Sequence, residues 1–328
     1  MEVRKSISIA VVGLVSWVLS MAASAPAATS TSIDFHNATS TDALDINSAC
    51  DIVGRYDSAD GKTHGYLRDR RGRFIAIDFP HADTNFTVAA GINSRGDIVG
   101  QYRLSTDDPR ARHGFVRRRR GTFTTIDFRD PAGTIAVFTN VLGINGRGEI
   151  VGRYCMVLPC APANQHGFLS RSRGHFSTID FPGAAGTIAG TNAWGINDRG
   201  EIVGGYHDSN SKSHVYLRRH NQFTTIDFPT TVDPNAVDTA PLGSKGGINS
   251  GGDIVSYYCN LEPCSANNTL QLDNDSEHGF LLSHGGAFRR IDVPGSHGTL
   301  TFGINDRGDI VGSYHDANRK EHSFLLKQ

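Results

Sequence analysis

The sequence predicts an all-β fold, a six-bladed β-propeller with four antiparallel strands in each blade. Three observations predict it: a motif recurs six times, its surroundings have the composition of strands, and the N-terminal segment supplies a strand that the last unit lacks. The motif reads G-I-N-x-x-G-[DE]-I-V-[GS]-x-Y, and its copies begin at Asp45, Gly91, Gly143, Gly195, Gly247 and Gly303. Successive copies are 46, 52, 52, 52 and 56 residues apart. Fixed periods of this size are typical of repeat folds, including propellers.

Helical repeats can have similar periods, but the composition argues against them. The repeated segments are short, rich in Ile, Val, Thr, Phe and Tyr, and separated by Gly and Asn. They show no sustained 3.6-residue period, which a helix would require.

Each unit contains four segments of strand length. In the second unit these are residues 87–93, 97–102, 113–118 and 122–128. Ser94-Arg95-Gly96 forms the first hairpin turn, in which Gly can adopt a positive φ. The last segment carries the pattern F-x-x-I-D-F, and its apolar residues suit a sheet that is packed on both faces.

The third strand of the sixth unit includes Leu325, and only three residues follow it. This unit therefore lacks a fourth strand. Residues 31–35, Thr-Ser-Ile-Asp-Phe, match that missing strand. We therefore expect the N-terminal strand to complete the last blade and close the ring, because pairing both open edges stabilises a propeller. An open solenoid would instead have distinct end units.

The first residues have the features of a secretory signal. Arg4 and Lys5 precede an apolar run at 7–21, and cleavage is expected after Ala25 or Ala27. We therefore predict a signal peptide at residues 1–27 and a single propeller domain at 28–328, secreted or periplasmic, with no membrane span in the mature chain. The formal net charge of −1 argues against a nucleic-acid partner. We expect a monomer.

The repeated patterns H-[GA]-F-L, G-x-F-x-x-I-D-F-P-G and G-I-N-x-x-G-x-I-V-G resemble the probable extracellular repeats of the bacterial HAF family. The resemblance covers nearly all of the predicted mature chain. This sequence has H-G-F or H-G-Y where the family name implies H-A-F, and the units at His214 and His322 depart further. The resemblance implies export and a repeat architecture, and it implies no particular chemistry.

A His begins the third strand of every unit, and an Asp lies near the end of every fourth strand. Antiparallel pairing places these residues side by side on one rim of each blade. We predict six structural His–Asp hydrogen bonds rather than a metal-binding ring, because metal ligands must converge on a point. The predicted pairs are formed by His64, His113, His166, His214, His278 and His322 with Asp78, Asp127, Asp180, Asp227, Asp292 and, for His322, Asp34.

No metal or other cofactor is predicted. The turns that begin at Gly195 and Gly303 contain Asn-Asp-Arg-Gly followed by Glu or Asp, so calcium is an alternative there. These turns lack the alternating acidic residues with which a calcium loop supplies six or more oxygens.

Two C-x4-C pairs, Cys155 with Cys160 and Cys259 with Cys264, occupy equivalent loops. In an exported protein they predict two local disulfides, with a zinc site as the alternative. Cys50 replaces the Gly of the first turn and is expected to be a free or intermolecular thiol.

Arg residues cluster at the hairpins between the third and fourth strands. A basic rim could bind acidic polysaccharide or lipid headgroups, although solvated turn charges that protect strand edges are the commoner explanation. The clusters comprise Arg70 and Arg71, residues 117–120, Arg171 with Arg173, and Arg218 with Arg219.

The sequence contains no G-x-S-x-G motif, no zinc-hydrolase helix motif and no S-x-D-x-G-x-T-W motif. It therefore identifies no catalytic residues in this chain. A propeller usually binds its ligand in the funnel formed by the loops between blades. The stretches 229–245 and 260–277 depart most from the repeat, and their acidic residues are the candidate binding residues: Asp233, Asp238, Glu262, Asp273, Asp275 and Glu277.

The sequence therefore favours an exported, non-catalytic binding or scaffold module, with polysaccharide or another cell-surface component as its partner. The alternative is a carbohydrate-active hydrolase or lyase with its site in the funnel. The fold alone does not choose between them.

Overall fold

The computed structural model describes residues 29–80, 84–172, 174–184, 190–239, 245–261 and 276–328. The predicted signal peptide lies outside these ranges. Within them the chain is almost entirely β-structure, with one short 3-10 helix at Pro162–Asn164. None of the described residues forms a helix long and apolar enough to cross a membrane.

The first strand, β1 (Thr29–Ser32), belongs to the last sheet, and the first complete sheets follow it in chain order. In each of the other five sheets the first strand along the chain is the innermost one. The strands of the first three sheets are β2 (Ser40–Ile46), β3 (Ile52–Asp57), β4 (Thr63–Arg68) and β5 (Phe74–Ile77) in blade 1; β6 (Thr84–Ile92), β7 (Ile98–Leu104), β8 (His113–Arg117) and β9 (Phe123–Ile126) in blade 2; and β10 (Phe138–Ile144), β11 (Ile150–Cys155), β12 (His166–Ser172) and β13 (His175–Ile179) in blade 3.

The next three sheets repeat the arrangement, except that the inner edge of the fifth is formed by two short strands. Both of these pair with the second strand of that sheet, and residues 240–244 lie between them. The strands are β14 (Thr191–Ile196), β15 (Ile202–His207), β16 (Ser213–Arg219) and β17 (Gln222–Ile226) in blade 4; β18 (Asp238–Thr239), β19 (Gly247–Ile248), β20 (Ile254–Cys259), β21 (Glu277–Leu282) and β22 (Phe288–Ile291) in blade 5; and β23 (Thr299–Ile304), β24 (Ile310–His315) and β25 (Glu321–Lys327) in blade 6.

The N-terminal strand completes blade 6. Strand β1 pairs antiparallel with β25, with Ser32 opposite Phe324, and Ile33 N donates a hydrogen bond to Ser323 O at 3.0 Å. The innermost strands contact one another in sequence around the axis, and β23 contacts β2. The predicted six-bladed propeller, closed by its N-terminal strand, is confirmed; the strand itself begins two residues before the predicted segment.

Six Asn side chains, one from each repeated motif, form a closed ring of hydrogen bonds around the axis. Each Nδ2 donates to the backbone carbonyl of the equivalent Asn in the next blade, at 3.0 to 3.3 Å. Because these side chains are buried, the bonds link the blades where water cannot replace them. The members of this Asn ring are Asn47, Asn93, Asn145, Asn197, Asn249 and Asn305.

Aromatic stacking joins neighbouring blades farther from the axis. The Phe that follows the fourth strand of one blade stacks on the motif Tyr of the next, with ring centroids 3.5 to 3.8 Å apart. At the sixth junction Val293 packs against the cluster that contains Tyr314. The stacked pairs are Phe35–Tyr56, Phe79–Tyr102, Phe128–Tyr154, Phe181–Tyr206 and Phe228–Tyr258.

The Gly of the motif I-V-G is required by close packing within the blade. A Cβ at Gly152 would lie 2.0 Å from Asn140 O and 2.8 Å from the ring of Phe168. No side chain fits there without moving the inner strand, so the repeat keeps Gly at this position in five of its six copies.

Candidate functional site

The blades present two different rims. One rim, here called the turn rim, carries the hairpin turns between the first and second strands and between the third and fourth strands. The other, the loop rim, carries the longer loops between the second and third strands and the connections between blades. Each inner strand runs from the loop rim to the Asn ring at the turn rim.

On the loop rim every predicted His lies beside its predicted Asp. The Nδ1···Oδ distances are 2.7 to 3.0 Å. Each His also lies against the motif Tyr of its own blade. In the part of the chain that the structure describes, no group of three or more His, Cys, Asp or Glu side chains could hold a metal ion.

These pairs predict a pH dependence of stability. The Asp hydrogen bond, opposed by burial, raises the pKa of His113, His166 and His214 above 6.5. A raised pKa means that the folded state binds the proton more tightly, so the stabilisation is fully present below about pH 6.5 and is lost as the pH rises through the folded pKa. Replacing all three with Gln should therefore reduce the fall in Tm between about pH 5.5 and about pH 8.5.

The control for this measurement is His220→Gln, an exposed His in the 3–4 hairpin of blade 4. Its pH profile should follow that of the unmodified protein. An unchanged profile in the triple variant would show that the pairs carry no charge-dependent stabilisation.

Two of the predicted acidic residues of the long loops, Asp233 and Asp238, have structural partners instead of lining the axis. The Asp233 carboxylate accepts a hydrogen bond from the Tyr258 hydroxyl at 2.8 Å and lies 3.4 Å from Arg290 Nη1. Asp238 Oδ1 accepts from Ser213 N at 2.8 Å, which joins blades 4 and 5. Both side chains hold loop and strand in place.

Glu277 is buried at the start of β21, and burial raises the pKa of its carboxyl to about 8. It does not line the axial cavity. The other three candidates, Glu262, Asp273 and Asp275, lie outside the described residues.

A cavity of about 180 Å³ opens along the axis on the side of the loop rim. We call it the axial funnel. It is lined mainly by residues of the innermost and second strands. Of the described residues in the stretches 229–245 and 260–277, only Lys245 lines it. Its hydrogen-bonding side chains belong to Asp42, Arg55, Gln101, Asn140, Arg153 and Lys245, and its apolar lining comprises Leu44, Phe86, Val88, Ala90, Leu142 and Phe302.

Several polar atoms of the funnel are buried without a hydrogen-bond partner among the described residues. They are Asp42 Oδ1, Gln101 Oε1, Asn140 Oδ1 and Arg153 Nε. Buried polar atoms in folded proteins are nearly always paired, and an unpaired one costs about 1–3 kcal/mol. Gln101, Asn140 and Arg153 therefore carry hydrogen-bonding groups that the described scaffold does not satisfy, whereas Asp42 has the Glu321 carboxyl beside it.

Charges on the blade 1 side of the funnel form a compact group. Asp42 lies 2.5 Å from Arg55 Nε, and its carboxylate also interacts directly with the Glu321 carboxyl. Burial, followed by the nearby Asp42, raises the pKa of Glu321 to about 9. At neutral pH one carboxyl of the pair is ionised and the other is protonated.

Lys245 closes the inner end of the funnel. Its Nζ donates to Leu44 O at 2.6 Å and to Ala90 O. Burial lowers the pKa of Lys245 to about 8, and the opposing effect comes from Asp45. A second cavity of about 80 Å³ lies beyond it, next to the Asn ring. Lys245 lines both cavities and separates them.

The predicted disulfide between Cys155 and Cys160 is confirmed, with 5.6 Å between the Cα atoms. It closes the loop that leads to Gln165, whose Nε2 donates to Cys160 O at 3.2 Å. Cys259 is also disulfide-bonded, and its predicted partner Cys264 lies outside the described residues.

Cys50 is a free thiol on the turn rim. It adopts a φ of 63°, the left-handed conformation that the other repeats give to Gly. Its Sγ lies 3.4 Å from Asp309 Oδ2, and burial together with this carboxylate raises the pKa of the thiol. A thiol in this state is a poor nucleophile at neutral pH.

Two Arg side chains of the turn rim, Arg118 and Arg219, are paired with carboxylates. Arg118 lies 3.1 Å from Asp97, and Arg219 lies 2.7 Å from Glu201. These contacts fit the commoner explanation, in which the charges are solvated partners of the turns.

The sequence did not identify the funnel residues, although it contained a signal for them. Arg55, Gln101 and Arg153 all occupy the variable position of the motif V-G-x-Y. The variable position of an otherwise constant motif marks where equivalent blades differ. Likewise, Asp45 replaces a repeated Gly, and Lys245 ends the stretch 229–245, which departs from the repeat.

No protein-family model matches the chain, and no curated protein sequence matches it. Solved structures do match. The protein AofleA of Arthrobotrys oligospora superposes with a TM-score of 0.54 at 12% identity, over 92% of this chain and 86% of that one. The Aleuria aurantia lectin, described as a fungal lectin with a six-bladed β-propeller fold and fucose recognition, superposes with a TM-score of 0.52 at 11% identity, over 90% and 93%.

The protein XC5397 of Xanthomonas campestris, described as a gluconolactonase, superposes with a TM-score of 0.50 at 8% identity, over 92% of this chain and 89% of that one. This chain shares the propeller fold of these proteins. At such low identity the likeness extends to the fold alone.

Proposed function

We propose that this protein is an exported, non-catalytic propeller of the HAF-repeat type that binds carbohydrate in the axial funnel. Export rests on the signal-like N-terminal segment, and the family assignment rests on the repeated motif. Polysaccharide or another cell-surface component is the partner that suits such a location.

The observation that carries the proposal is the set of unpaired polar atoms around an apolar-lined funnel. Gln101 and Asn140 carry acceptor oxygens and Arg153 carries a donor, while Phe86 and Phe302 contribute aromatic surface. A sugar ring has hydroxyl groups that both donate and accept, and C–H faces that pack on aromatic rings. It therefore satisfies both parts of this lining.

The structural neighbours support this class of ligand without specifying it. The Aleuria aurantia protein is a fucose-recognising lectin with the same number of blades. Because one fold hosts many functions, the funnel chemistry of this chain has the greater weight.

A hydrolase or lyase is the second candidate, favoured by the Asp42 and Glu321 carboxyls. One is ionised and one is protonated at neutral pH, as glycosidase chemistry requires. However, they interact with each other directly, whereas catalytic carboxyls stand about 5 Å or more apart to hold the sugar between them. This contact favours binding over catalysis.

The proposal is tested by removing the unpaired amides. Purified mature protein is screened on a glycan array, and the affinity for the retained glycan is measured by calorimetry. We expect Gln101→Ala and Asn140→Ala each to weaken binding about tenfold, since each loses a hydrogen bond in a water-poor site.

Asn318→Ala, an exposed Asn on the loop rim of blade 6, is the control and should bind like the unmodified protein. Failure to retain any glycan, or unchanged affinity in both funnel variants, would contradict the proposal. Release of reducing sugar from the bound glycan would support the second candidate instead.

A further inference from the structure

Three Arg side chains, Arg103, Arg112 and Arg153, form a cationic cluster where blades 2 and 3 meet the loop rim. Arg153 lines the axial funnel. Arg112 lies beside the funnel wall, because its backbone forms a β-bridge with Phe138 at the start of β10. The charges of Arg103 and Arg153 both repel that of Arg112.

The cluster contacts neutral groups. Arg112 Nη1 donates to Pro109 O at 2.8 Å and to Ala111 O at 2.6 Å. Arg103 Nη1 also donates to Pro109 O, at 2.8 Å. Arg153 Nη1 donates to Gln165 Oε1 at 3.3 Å.

Two aromatic rings hold the guanidinium groups in place. Arg112 lies over Phe86 at 4.5 Å from the ring centroid, and Arg103 lies over the same ring at 5.7 Å. Arg153 lies over Phe138 at 5.7 Å. Aromatic faces stabilise a cation without neutralising it, so the charge remains available to an anion.

No ion pair with a carboxylate neutralises the cluster within the described chain. Burial, followed by repulsion from Arg103 and Arg153, lowers the pKa of Arg112 to about 10, and burial lowers that of Arg153 to about 10. Both therefore stay protonated at neutral pH. By contrast, Arg55, on the opposite side of the funnel, is paired with Asp42.

Comparison of the blades shows that the cluster is particular to blades 2 and 3. The position of Arg112 is held by Gln165 in blade 3 and by Glu321 in blade 6, and the position of Arg153 is held by Gln101 in blade 2. The rim is therefore basic at blades 2 and 3 and acidic where blade 6 meets blade 1.

We propose that the cationic cluster is an anion subsite, and that it binds the carboxylate or sulfate group of an acidic saccharide whose ring lies in the axial funnel. This inference rests on the proposed function and specifies its ligand class. The planar guanidinium fork matches the paired oxygens of either anion, and binding relieves the repulsion among the three cations.

Single-stranded nucleic acid also binds Arg and aromatic side chains. Across the funnel Arg55 is already paired with Asp42, so it offers no free cation to the following phosphates of a polyanion. A ligand with one anionic group at the cluster and a neutral ring beyond it needs no second cation.

The test uses matched pairs of glycans on an array: uronate oligosaccharides with their methyl esters, and sulfated oligosaccharides with their unsulfated forms. We expect the acidic member of at least one pair to bind about tenfold tighter than its neutral partner. The two kinds of pair distinguish a carboxylate from a sulfate. The preference should shrink between about 50 mM and about 500 mM NaCl.

Arg112→Gln and Arg153→Gln should each remove most of this preference. Both changes introduce a residue that an equivalent blade already carries, so the fold should tolerate them, and thermal unfolding checks this. Arg120→Gln is the control: it removes the same charge from an exposed residue of the turn rim and should leave the preference intact.

If neutral glycans bind as tightly as their acidic partners, and Gln101→Ala weakens them, the anion subsite is wrong and the proposed function stands. If no glycan binds, both fail. Tighter binding of a single-stranded oligonucleotide than of any acidic glycan, lost in both cluster variants, would also overturn the inference.

Discussion

Removal of the N-terminal strand should open the ring and unfold most of the protein. A chain that begins at residue 36 lacks the partner of β25 together with Ile33 and Phe35. Ile33 is buried, and Phe35 stacks on Tyr56 with 3.7 Å between ring centroids. Loss of two such side chains costs roughly 5 kcal/mol or more, which is comparable with the whole stability of many domains.

The expected result is a large fall in the urea midpoint, together with association through the exposed edge of β25 in size-exclusion chromatography. A chain that begins at residue 29 is the control, and it should unfold like the full mature protein. Adding a peptide of residues 29–39 to the shorter chain should restore part of its stability. A shorter chain that is monomeric and as stable as the control would show that closure does not depend on this strand.

The sequence was sufficient to predict the ring because the same local pattern appeared six times. A single copy of the G-I-N motif would have left helix, edge strand and core strand open, whereas six copies that lie 46 to 56 residues apart define one sheet per copy. The missing strand at Leu325 and the unmatched residues 31–35 then had one consistent arrangement. The His–Asp contacts followed from antiparallel pairing, which aligns the start of one strand with the end of its neighbour.

The binding residues were harder to predict because sequence does not show where a loop side chain points. Asp233 and Asp238 were chosen for their place in the least repeat-like loop, yet each binds a neighbouring group of the scaffold. The funnel residues lie instead inside the repeat, as at Arg55 and Arg153. The repeated residues of the motif V-G-x-Y indicated a strand, and the residue that changes from blade to blade indicated the lining of the axial funnel.

The repeat also explains how a symmetric scaffold acquires one asymmetric site. Backbone positions that close the ring are held by constant residues, such as the motif Asn and Gly. Positions that face the funnel are free to vary, because a long side chain there enters the open cavity rather than the next blade. Arg153, Gln101 and Lys245 occupy such positions, so the lining of the funnel can change without a change of fold.

The Asn ring predicts a second large effect on stability. Asn197 Oδ1 accepts hydrogen bonds from Arg199 N and Glu201 N at 3.0 Å each, and its Nδ2 donates to Asn249 O at 3.1 Å. Asn197→Ala removes these three bonds and the one that Nδ2 donates to Glu201 Oε2 at 2.6 Å, and it leaves the backbone N–H groups of Arg199 and Glu201 without their acceptor. With about 1–3 kcal/mol for each buried group, we expect the free energy of unfolding to fall by about 4 kcal/mol.

Urea unfolding of Asn197→Ala measures this loss, and Asn210→Ala, an exposed Asn in a loop of the same blade, is the matched control. The control should change the free energy of unfolding by less than about 0.5 kcal/mol. Because each ring member donates to the next blade, Asn93→Ala should lower the free energy of unfolding by about as much as Asn197→Ala. A loss below about 1 kcal/mol in both ring variants would mean that the hydrogen bonds at the axis follow from ring closure and do not stabilise it.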